Sequence, residues 1–424
     1  MLANTIRKIR EQSLYLNSMY LVMSTAILAL FGFVYWWLAA RFSSSYDLGI
    51  AATLISVMTY LGMISQLGLN VGILRYFPGS QNRSGIVNTS LTVVMLAAII
   101  LSIGFLVISE LISTRLAFLR QNPLITISFI VFMVFAALNV IIESLFIALR
   151  QAIMVFIRNS VLSFLKVGSL FFFVFLGGYG IFASWAVALV MIAIFSYFLF
   201  PIEFRQKFKI QILAGELRKM AAFSTGNYFA GLVGNLSIYA IPLILTARAG
   251  PQTTAYYAVA MSYAALLFSV PVSICNSLFA EGAANEQMIL KSTVQAIKLI
   301  SVILFPAIMV LLAFGKYALL LFGTDYAQHT TDLLSILAVS SFFVSINTVC
   351  WTLLNLKQRV SEIMITLSLN TVLILTLTYL LTGQGLIGTG LAWLVGQGVT
   401  SLIYLLFLFK RFHWGTFVFR EAKS

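Results

Sequence analysis

The stretch YGIFASWAVALVMIAIFSYFLF, residues 179–200, is followed about two hundred residues later by a related one, QGLIGTGLAWLVGQGVTSLIYLLF, residues 384–407. Gly180 aligns with Gly385 and Ser184 aligns with Thr389, an offset of 205 positions. Both stretches are apolar over about 20 residues, the length that an α-helix needs to cross a bilayer. A repeated membrane helix of this kind indicates that the chain contains an internal duplication.

Composition places the whole chain in a membrane. Of its 424 residues, 61% are apolar and 9% are charged, and the mean hydropathy is +1.02, well outside the range of soluble domains. We therefore expect an all-α integral membrane protein whose connections are too short for a separate folded domain. Twelve transmembrane helices are predicted near residues 14–40, 48–74, 86–109, 124–149, 160–177, 181–201, 221–247, 253–280, 293–314, 333–355, 361–381 and 386–409.

Two further pairs recur at nearly the same offset, Asn70 with Asn276 and Arg41 with Arg248. They predict two six-helix bundles with a basic linker between them and a tail after them. The four segments are residues 1–201, 202–220, 221–410 and 411–424. Because six crossings are an even number, both halves would run in the same direction, as parallel repeats. Two such halves around a central cavity are typical of alternating-access transporters.

Topology accounts for the formal net charge of +14. If the N-terminus is cytoplasmic, most Lys and Arg residues outside the predicted spans fall on the cytoplasmic side, and so do both termini. Arg150 and Arg158 count among these predicted loop cations. The charge therefore gives no reason to expect nucleic-acid binding. The linker cations would lie against anionic lipids or simply fix the topology; they are Arg205, Lys207, Lys209, Arg218 and Lys219.

Three charged residues fall inside predicted spans: Lys166, Lys298 and Glu143. A charge at the centre of a span costs about 2.5–3.5 kcal/mol on insertion scales, so it usually faces a cavity or a partner. We predict that all three lie toward the cytoplasmic side, with Lys166 about 9 Å from the start of its helix, where lysines could bind an anionic cargo. The alternative is that the lysines extend to the interface and that Glu143 pairs with one of them.

Three arginines at predicted helix ends complete the cationic candidates. Arg75 ends its helix just before Pro78, and it could equally be an interfacial anchor. Arg41 and Arg248 are related by the duplication and lie at outer helix ends, where the positive-inside pattern does not favour cations. These two are therefore candidates for a role near a cargo exit, and the alternative is that they only terminate their helices.

Amide and aromatic side chains in two predicted spans are candidates for lining a sugar path. Gln66 and Asn70 lie in predicted helix 2, whereas Asn227, Tyr228 and Asn235 lie in predicted helix 7. Such groups could form hydrogen bonds with a glycan, but they would serve equally well between packed helices. Both interpretations stay open at this point.

No residue pattern points to catalysis, a metal site or a cofactor. His329 and His413 are predicted in an outer loop and in the C-terminal tail, without partners spaced for a metal ion. The sequence contains no phosphate-binding glycine loop with a lysine. Cys275 and Cys350 are predicted to pack inside helices.

Three stretches carry a resemblance to a known family. They are SYDLGIAATLISVMTYLGMISQLGLNVGILRYF at residues 45–77, YYAVAMSYAALLFSVPVSICNSLFAEGA at residues 256–283, and GLIGTGLAWLVGQG at residues 385–398. Together they resemble the polysaccharide flippases, the O-antigen or Wzx-type members of the multidrug/oligosaccharidyl-lipid/polysaccharide exporter (MOP) superfamily. The resemblance covers nearly the whole chain and rests on loose apolar patterns with glycines.

The resemblance implies that an undecaprenyl-diphosphate-linked oligosaccharide moves to the outer leaflet of the bacterial inner membrane, through a MATE-like, V-shaped cationic cavity between the halves. Lys166, Lys298 and Arg75 would then bind the diphosphate at entry, and Arg41 and Arg248 would bind it near exit. No cofactor is implied. The expected partners are the lipid-linked oligosaccharide, anionic membrane lipids and the polysaccharide polymerase with its chain-length machinery, and the expected state is a monomer.

Other functional classes make different demands on the sequence. A drug or cation exporter of the same superfamily would be expected to have a carboxylate in its first helix, and residues 14–40 contain none. A major-facilitator carrier would have a basic, Asp-containing signature after helix 2, which is missing here. A membrane polysaccharide polymerase or ligase would need a large outer loop, and the predicted outer loops are short. The glycan and the energy source stay open, with Glu143 a candidate to exchange a proton or sodium ion.

Overall fold

The computed structural model describes residues 2–200, 209–284 and 286–411, with side chains from Met19 onward except at positions 222–225, 227, 284, 286, 410 and 411. The described residues form helices joined by short turns. Their bounds are Leu2–Phe42 (α1), Ser45–Ser65 (α2), Leu69–Tyr76 (α3), Arg83–Ile112 (α4), Phe118–Gln121 (α5), Pro123–Ala148 (α6), Ala152–Phe173 (α7), Gly177–Leu199 (α8), Ala214–Arg248 (α9), Pro251–Ala284 (α10), Ile289–Leu320 (α11), Thr324–Leu356 (α12), Val360–Leu381 (α13) and Gly385–Arg411 (α14).

Ten helical stretches in this described part of the chain are long and apolar enough to cross a membrane. Two of them, Ala152–Leu199 and Val360–Phe409, are 48 and 50 residues long. Each holds two helices separated by a short 3-10 turn, and a single crossing needs only about 20 residues. The protein is therefore a multi-pass membrane protein, as the composition predicted.

The chain divides into two compact units. The first is Met1–Leu232 with Leu245–Ala255, and the second is Val233–Ile244 with Tyr256–Ser424. In the first unit α4 packs on α6, α6 on α8, and α7 on α8. In the second unit α11 packs on α12, α12 on α14, and α13 on α14. The order of packing partners is thus the same within each unit.

A turn that occurs in both units fixes the register of the internal repeat. In each unit a helix ends in a 3-10 turn, and a glycine with positive φ follows: Gly177 with φ 68° after α7 and Gly385 with φ 67° after α13. Glycine adopts this conformation without steric cost. The register gives an offset of 208 and aligns Trp185 with Trp393. The offset of 205 predicted from the sequence is therefore wrong, because it aligned Gly180 with the wrong glycine of a glycine-rich turn.

A second glycine in each turn allows the two helices to approach closely. A Cβ atom at Gly180 would collide with the carbonyl oxygen of Phe173, and one at Gly388 would collide with that of Leu381. We expect Gly180→Ala and Gly388→Ala each to lower the free energy of unfolding by about 1–3 kcal/mol, measured by thermal unfolding of the purified protein. Gly383→Ala is the matched control, because a Cβ atom there has no neighbour within 4 Å. Equal stability of all three variants would contradict this prediction.

The predicted second helix, residues 48–74, is interrupted. α2 and α3 are separated by a turn in which Leu67 and Gly68 have positive φ angles of 48° and 76°. Such angles cannot continue a right-handed helix. Gln66 and Asn70, which were predicted on one helix, therefore lie on either side of this turn.

Helix α7 begins eight residues earlier than predicted, and this changes the location of two cations. Arg158 lies inside α7, so its prediction as a loop cation is wrong. Lys166 lies fourteen residues after the first residue of α7, about 21 Å along the axis at 1.5 Å per residue. It is nearer to the end of α7 than to its start, so the predicted depth of about 9 Å is also wrong.

The predicted linker is shorter than expected. Helix α9 begins at Ala214, so Arg218 and Lys219 lie in its first two turns and not in a loop. Arg205 and Lys207 lie outside the described residues, as does His413 of the predicted tail.

The remaining histidine and the cysteines have ordinary structural surroundings. His329 lies on α12 and not in a loop; its Nδ1 atom is 3.2 Å from Asp325 Oδ1, and its ring stacks on Tyr256. Cys275 and Cys350 are buried free thiols, as predicted. Among the described residues no group of three His, Cys, Asp or Glu side chains could hold a metal ion.

Candidate functional site

An ion pair between a buried arginine and a half-buried glutamate lies where α6, α7 and α8 meet in the first unit. The side chain of Arg158 on α7 is 1% exposed, and its Nη1 atom lies 3.4 Å from Glu143 Oε2 on α6. Its Nε donates to Ser196 Oγ at 3.0 Å, and Nη1 donates to Asn159 Oδ1 at 3.0 Å. Its Nη2 donates to the main-chain and side-chain oxygens of Asn139. All three nitrogens of the guanidinium are thus engaged by the protein itself.

Two asparagines extend this network to further helices. Asn139 Nδ2 donates to the carbonyl oxygen of Leu189 on α8 at 2.8 Å. Asn159 Nδ2 donates to Ser24 Oγ on α1 at 2.8 Å and to Glu143 Oε1 at 3.2 Å. The network therefore links α1, α6, α7 and α8. Because the Arg158 donors are used in holding these helices, we do not expect this guanidinium to bind cargo.

Two turns further along α7, Lys166 lies against aromatic side chains. Its Nζ atom is 3.5 Å from the ring centroid of Trp185 on α8. The rings of Tyr35 and Trp36 on α1 lie 5.0 Å and 6.2 Å from the same indole. An aromatic face stabilises an ammonium group by a cation–π interaction. Within the described residues no carboxylate lies within 4.0 Å of the Lys166 ammonium, so its charge is not neutralised by a direct ion pair there.

The other four predicted cations are exposed. Arg41 and Arg75 lie in the last turns of α1 and α3, and Arg248 is the last residue of α9. Lys298 lies on α11 in the second unit. Lys166 therefore lies in a defined aromatic environment within a membrane-spanning helix.

Two of the predicted glycan-lining residues hold helices together. Gln66 is buried, and its Nε2 donates to the carbonyl oxygen of Ala137 on α6 at 2.9 Å. The hydroxyl of Tyr228 on α9 donates to the carbonyl oxygen of Ile64 on α2 at 2.6 Å. These contacts match the packing interpretation. Asn70 and Asn235 are half-buried, and the side chain of Asn227 lies outside the described residues.

The comparison with protein families identifies the group to which the sequence belongs. The model of the family described as "Polysaccharide biosynthesis protein" matches residues 14–279, more than half of the chain. The chain belongs to this family. A search of curated protein sequences gives no match.

Solved membrane transporters share the fold of this polysaccharide biosynthesis family member. An inward-facing multidrug resistance MATE family transporter of the MOP superfamily matches with a TM-score of 0.73 and 13% identity, over 92% of this chain and 98% of its own. The lipid II flippase MurJ, in an inward closed conformation, matches with a TM-score of 0.71 and 14% identity, over 94% and 89%. A MOP superfamily transporter from Pyrococcus furiosus matches with a TM-score of 0.55 and 12% identity, over 97% and 96%. The resemblance predicted from the sequence is confirmed for family and fold.

The sequence predicted Glu143 as a candidate but not Arg158, Asn139, Asn159 or Ser196, because the charge of Arg158 was taken as the edge of a membrane span. A signal was nevertheless present. Arg158 and Lys166 are eight residues apart, and Asn139 and Glu143 are four apart, spacings that place each pair on one helix face. Two such polar faces in consecutive apolar helices would have predicted a network between them.

Proposed function

We propose that this protein is a flippase that carries an undecaprenyl-diphosphate-linked oligosaccharide, an O-antigen or other surface polysaccharide repeat unit, across the bacterial inner membrane by alternating access. Membership of the polysaccharide biosynthesis family supports a glycan cargo. The fold shared with a lipid II flippase and with MATE transporters supports transport and not catalysis. The observation that carries the proposal is Lys166, a lysine in a membrane-spanning helix, where an ionisable residue is costly and usually marks a functional site.

In this proposal the chain crosses the membrane twelve times, in two six-helix halves with both termini in the cytoplasm. The first half is residues 1–201, the second begins with α9 at Ala214 and runs to residue 410, and the tail 411–424 follows. The repeat at an offset of 208 and the equal order of packing partners in the two units support the duplication. The basic linker would lie at the surface of an anionic leaflet.

Lys166 is proposed to bind the diphosphate of the cargo, because an ammonium forms strong charge-assisted hydrogen bonds with phosphate oxygens. Arg75 would assist at entry, and Arg41 and Arg248 would act near exit. Asn70, Asn227 and Asn235 would face the glycan.

Glu143 was a candidate for exchanging a coupling ion. Its contacts with Arg158 and Asn159 favour a structural role, and the two roles are separable by mutation. The protein is proposed to act as a monomer that passes its cargo to a polysaccharide polymerase with its chain-length machinery.

The test is to delete the gene in its host and to locate the lipid-linked oligosaccharide by leaflet-specific labelling. We expect complete units to accumulate in the cytoplasmic leaflet, with rescue by the wild-type protein. Complete units that reach the outer leaflet but stay unpolymerised would contradict the proposal and indicate a polymerase or ligase. An unchanged glycan with increased sensitivity to toxic cations would indicate a drug or cation exporter of the same superfamily.

A further inference from the structure

An apolar groove of about 610 Å³ lies in the second unit between α11, α12 and α14. Its floor is formed by buried aliphatic side chains such as Ile300 and Leu353. Its rim is formed by exposed side chains, with Val302 at 70%, Phe305 at 67% and Phe409 at 64%. Exposed apolar side chains are expected on membrane-spanning helices, and a concave apolar groove among them can hold an apolar ligand.

Two polar side chains of the groove form hydrogen bonds with the protein itself. Thr293 Oγ1 donates to the carbonyl oxygen of Ile289 at 2.6 Å, and Ser345 Oγ donates to that of Ser341 at 2.8 Å. A sugar ring would lose its hydrogen bonds with water in this groove and would gain few in return. The groove therefore suits a hydrocarbon chain and not a glycan.

The length of the groove matches one leaflet of a bilayer. Its lining residues on α11 run from Thr293 to Ile308 and those on α12 from Phe342 to Leu353, which is about 22 Å and about 16 Å at 1.5 Å per residue. Half of the hydrocarbon core of a bilayer is about 15 Å. The lining lies near the first residue of α11 and near the last residues of α12 and α14, so the groove begins at one membrane surface and ends near mid-membrane.

The first unit contains a corresponding groove of about 400 Å³ between α4, α6 and α8. At the offset of 208, its lining residues Leu138, Ile142, Tyr197 and Phe200 correspond to Ile346, Cys350, Leu405 and Leu408 of the second groove. In the first unit the segment before α9 contributes to the lining of the groove. Lys209 and Ile210 line it, and the N–H group of Gln211 donates to Thr92 Oγ1 at 3.2 Å.

The second groove has a cation near its rim. Lys298 is exposed and lies one turn from Val302 of the rim. Because helical side chains tilt toward the helix N-terminus, its ammonium extends toward the membrane surface at which α11 begins.

We propose that the groove between α11, α12 and α14 binds one acyl chain of an anionic phospholipid and that Lys298 binds the headgroup phosphate. The apolar floor of the groove suits an acyl chain, and the length of the groove suits a lipid of one leaflet. The ammonium of Lys298 favours an anionic headgroup. The polyisoprenoid tail of a lipid carrier would be longer than the groove. The proposal assigns Lys298 to a resident lipid instead of the cargo diphosphate, and it does not depend on flippase activity.

The test uses the purified full-length protein in vesicles of phosphatidylethanolamine and phosphatidylglycerol. The probes are analogues of both lipids with a photoreactive group in the middle of one acyl chain, and mass spectrometry maps the labelled peptides. We expect the phosphatidylglycerol probe to label α11, α12 and α14 within the groove. Ser301→Trp on α11 and Ser345→Trp on α12, which fill the groove from different helices, should each reduce this labelling to background while the protein elutes as the wild type does.

The headgroup contact is tested by Lys298→Ala, which should lower labelling by the phosphatidylglycerol probe about fivefold. Labelling by the phosphatidylethanolamine probe should fall less, because the amine of that lipid offsets the charge of its own phosphate. Lys316→Ala is the matched control, because Lys316 is an exposed lysine near the other end of α11. Equal effects of the two lysine variants, or unchanged labelling in both tryptophan variants, would overturn the proposal. Stronger competition by a polyisoprenoid phosphate than by phosphatidylglycerol would reassign the groove to the lipid carrier. Increased labelling of a chain that ends at Arg411 would reassign it to residues 412–424.

Discussion

Replacing Lys166 with methionine is expected to reduce export of the lipid-linked oligosaccharide about ten- to a hundred-fold. A hydrogen bond to a charged group contributes about 1.5–3 kcal/mol, and each 1.4 kcal/mol is a factor of ten. The amount of folded protein should not fall. The lost cation–π contact with Trp185, about 0.5–2 kcal/mol, is offset by removal of a charge that costs about 2.5–3.5 kcal/mol to insert. Leaflet-specific labelling of the glycan measures export. The amount of protein in the membrane is measured separately and is used to normalise the export.

The controls for Lys166 separate charge from packing. Lys166→Ala should behave like Lys166→Met, whereas Lys166→Arg should retain part of the export because it keeps the positive charge. Lys316→Ala should export normally, since Lys316 lies near the end of α11. Full export by Lys166→Met would contradict a role in binding the diphosphate and would leave Lys166 as a lysine that only contacts Trp185.

Composition and helix length were enough to predict a polytopic helical protein, because a bilayer requires long apolar helices whatever their packing. The register that aligns the two internal repeats was not predictable from the apolar pattern. The alignment of Gly180 with Gly385 satisfied the apolar pattern, but the positive φ angles of Gly177 and Gly385 require a different one. Apolar helices tolerate such shifts because one aliphatic residue resembles another, and the backbone at the turn decides between them.

The candidate site was predictable only in part. Lys166 and Glu143 stood out because each is a charge surrounded by apolar residues. Arg158 did not, because it lies close enough to the start of α7 to be mistaken for an interfacial residue. The indole of Trp185 could not be assigned to Lys166 from the sequence, since contacts between α7 and α8 depend on the turn between them. Charge was therefore visible in the sequence, whereas the partner of each charge required the fold.

The second large effect concerns the ion pair between Arg158 and Glu143 in the first unit. Glu143→Met is expected to lower the free energy of unfolding by about 3–5 kcal/mol, the cost of leaving a buried charge without its partner. Arg158→Met should cost less, because it leaves the carboxylate of Glu143 unpaired, and that side chain is 36% exposed. Glu143→Met leaves the guanidinium of Arg158 unpaired, and that side chain is 1% exposed. The double variant Arg158→Met with Glu143→Met should be more stable than Glu143→Met, since no unpaired charge remains. Unfolding of the purified variants in a detergent series measures these differences, and the double-mutant cycle gives the coupling energy.

The same variants decide between the two roles of Glu143. If Glu143 exchanges a proton or sodium ion during transport, Glu143→Gln and the double variant should both lose export, whatever their stability. If the carboxylate serves to neutralise Arg158, as its contacts favour, export should follow the amount of folded protein, and the double variant should recover both relative to Glu143→Met. A greater loss of stability in Arg158→Met than in Glu143→Met would contradict the burial argument. It would show that the hydrogen bonds of the guanidinium with Asn139, Asn159 and Ser196 contribute more to stability than the pairing of its charge with Glu143.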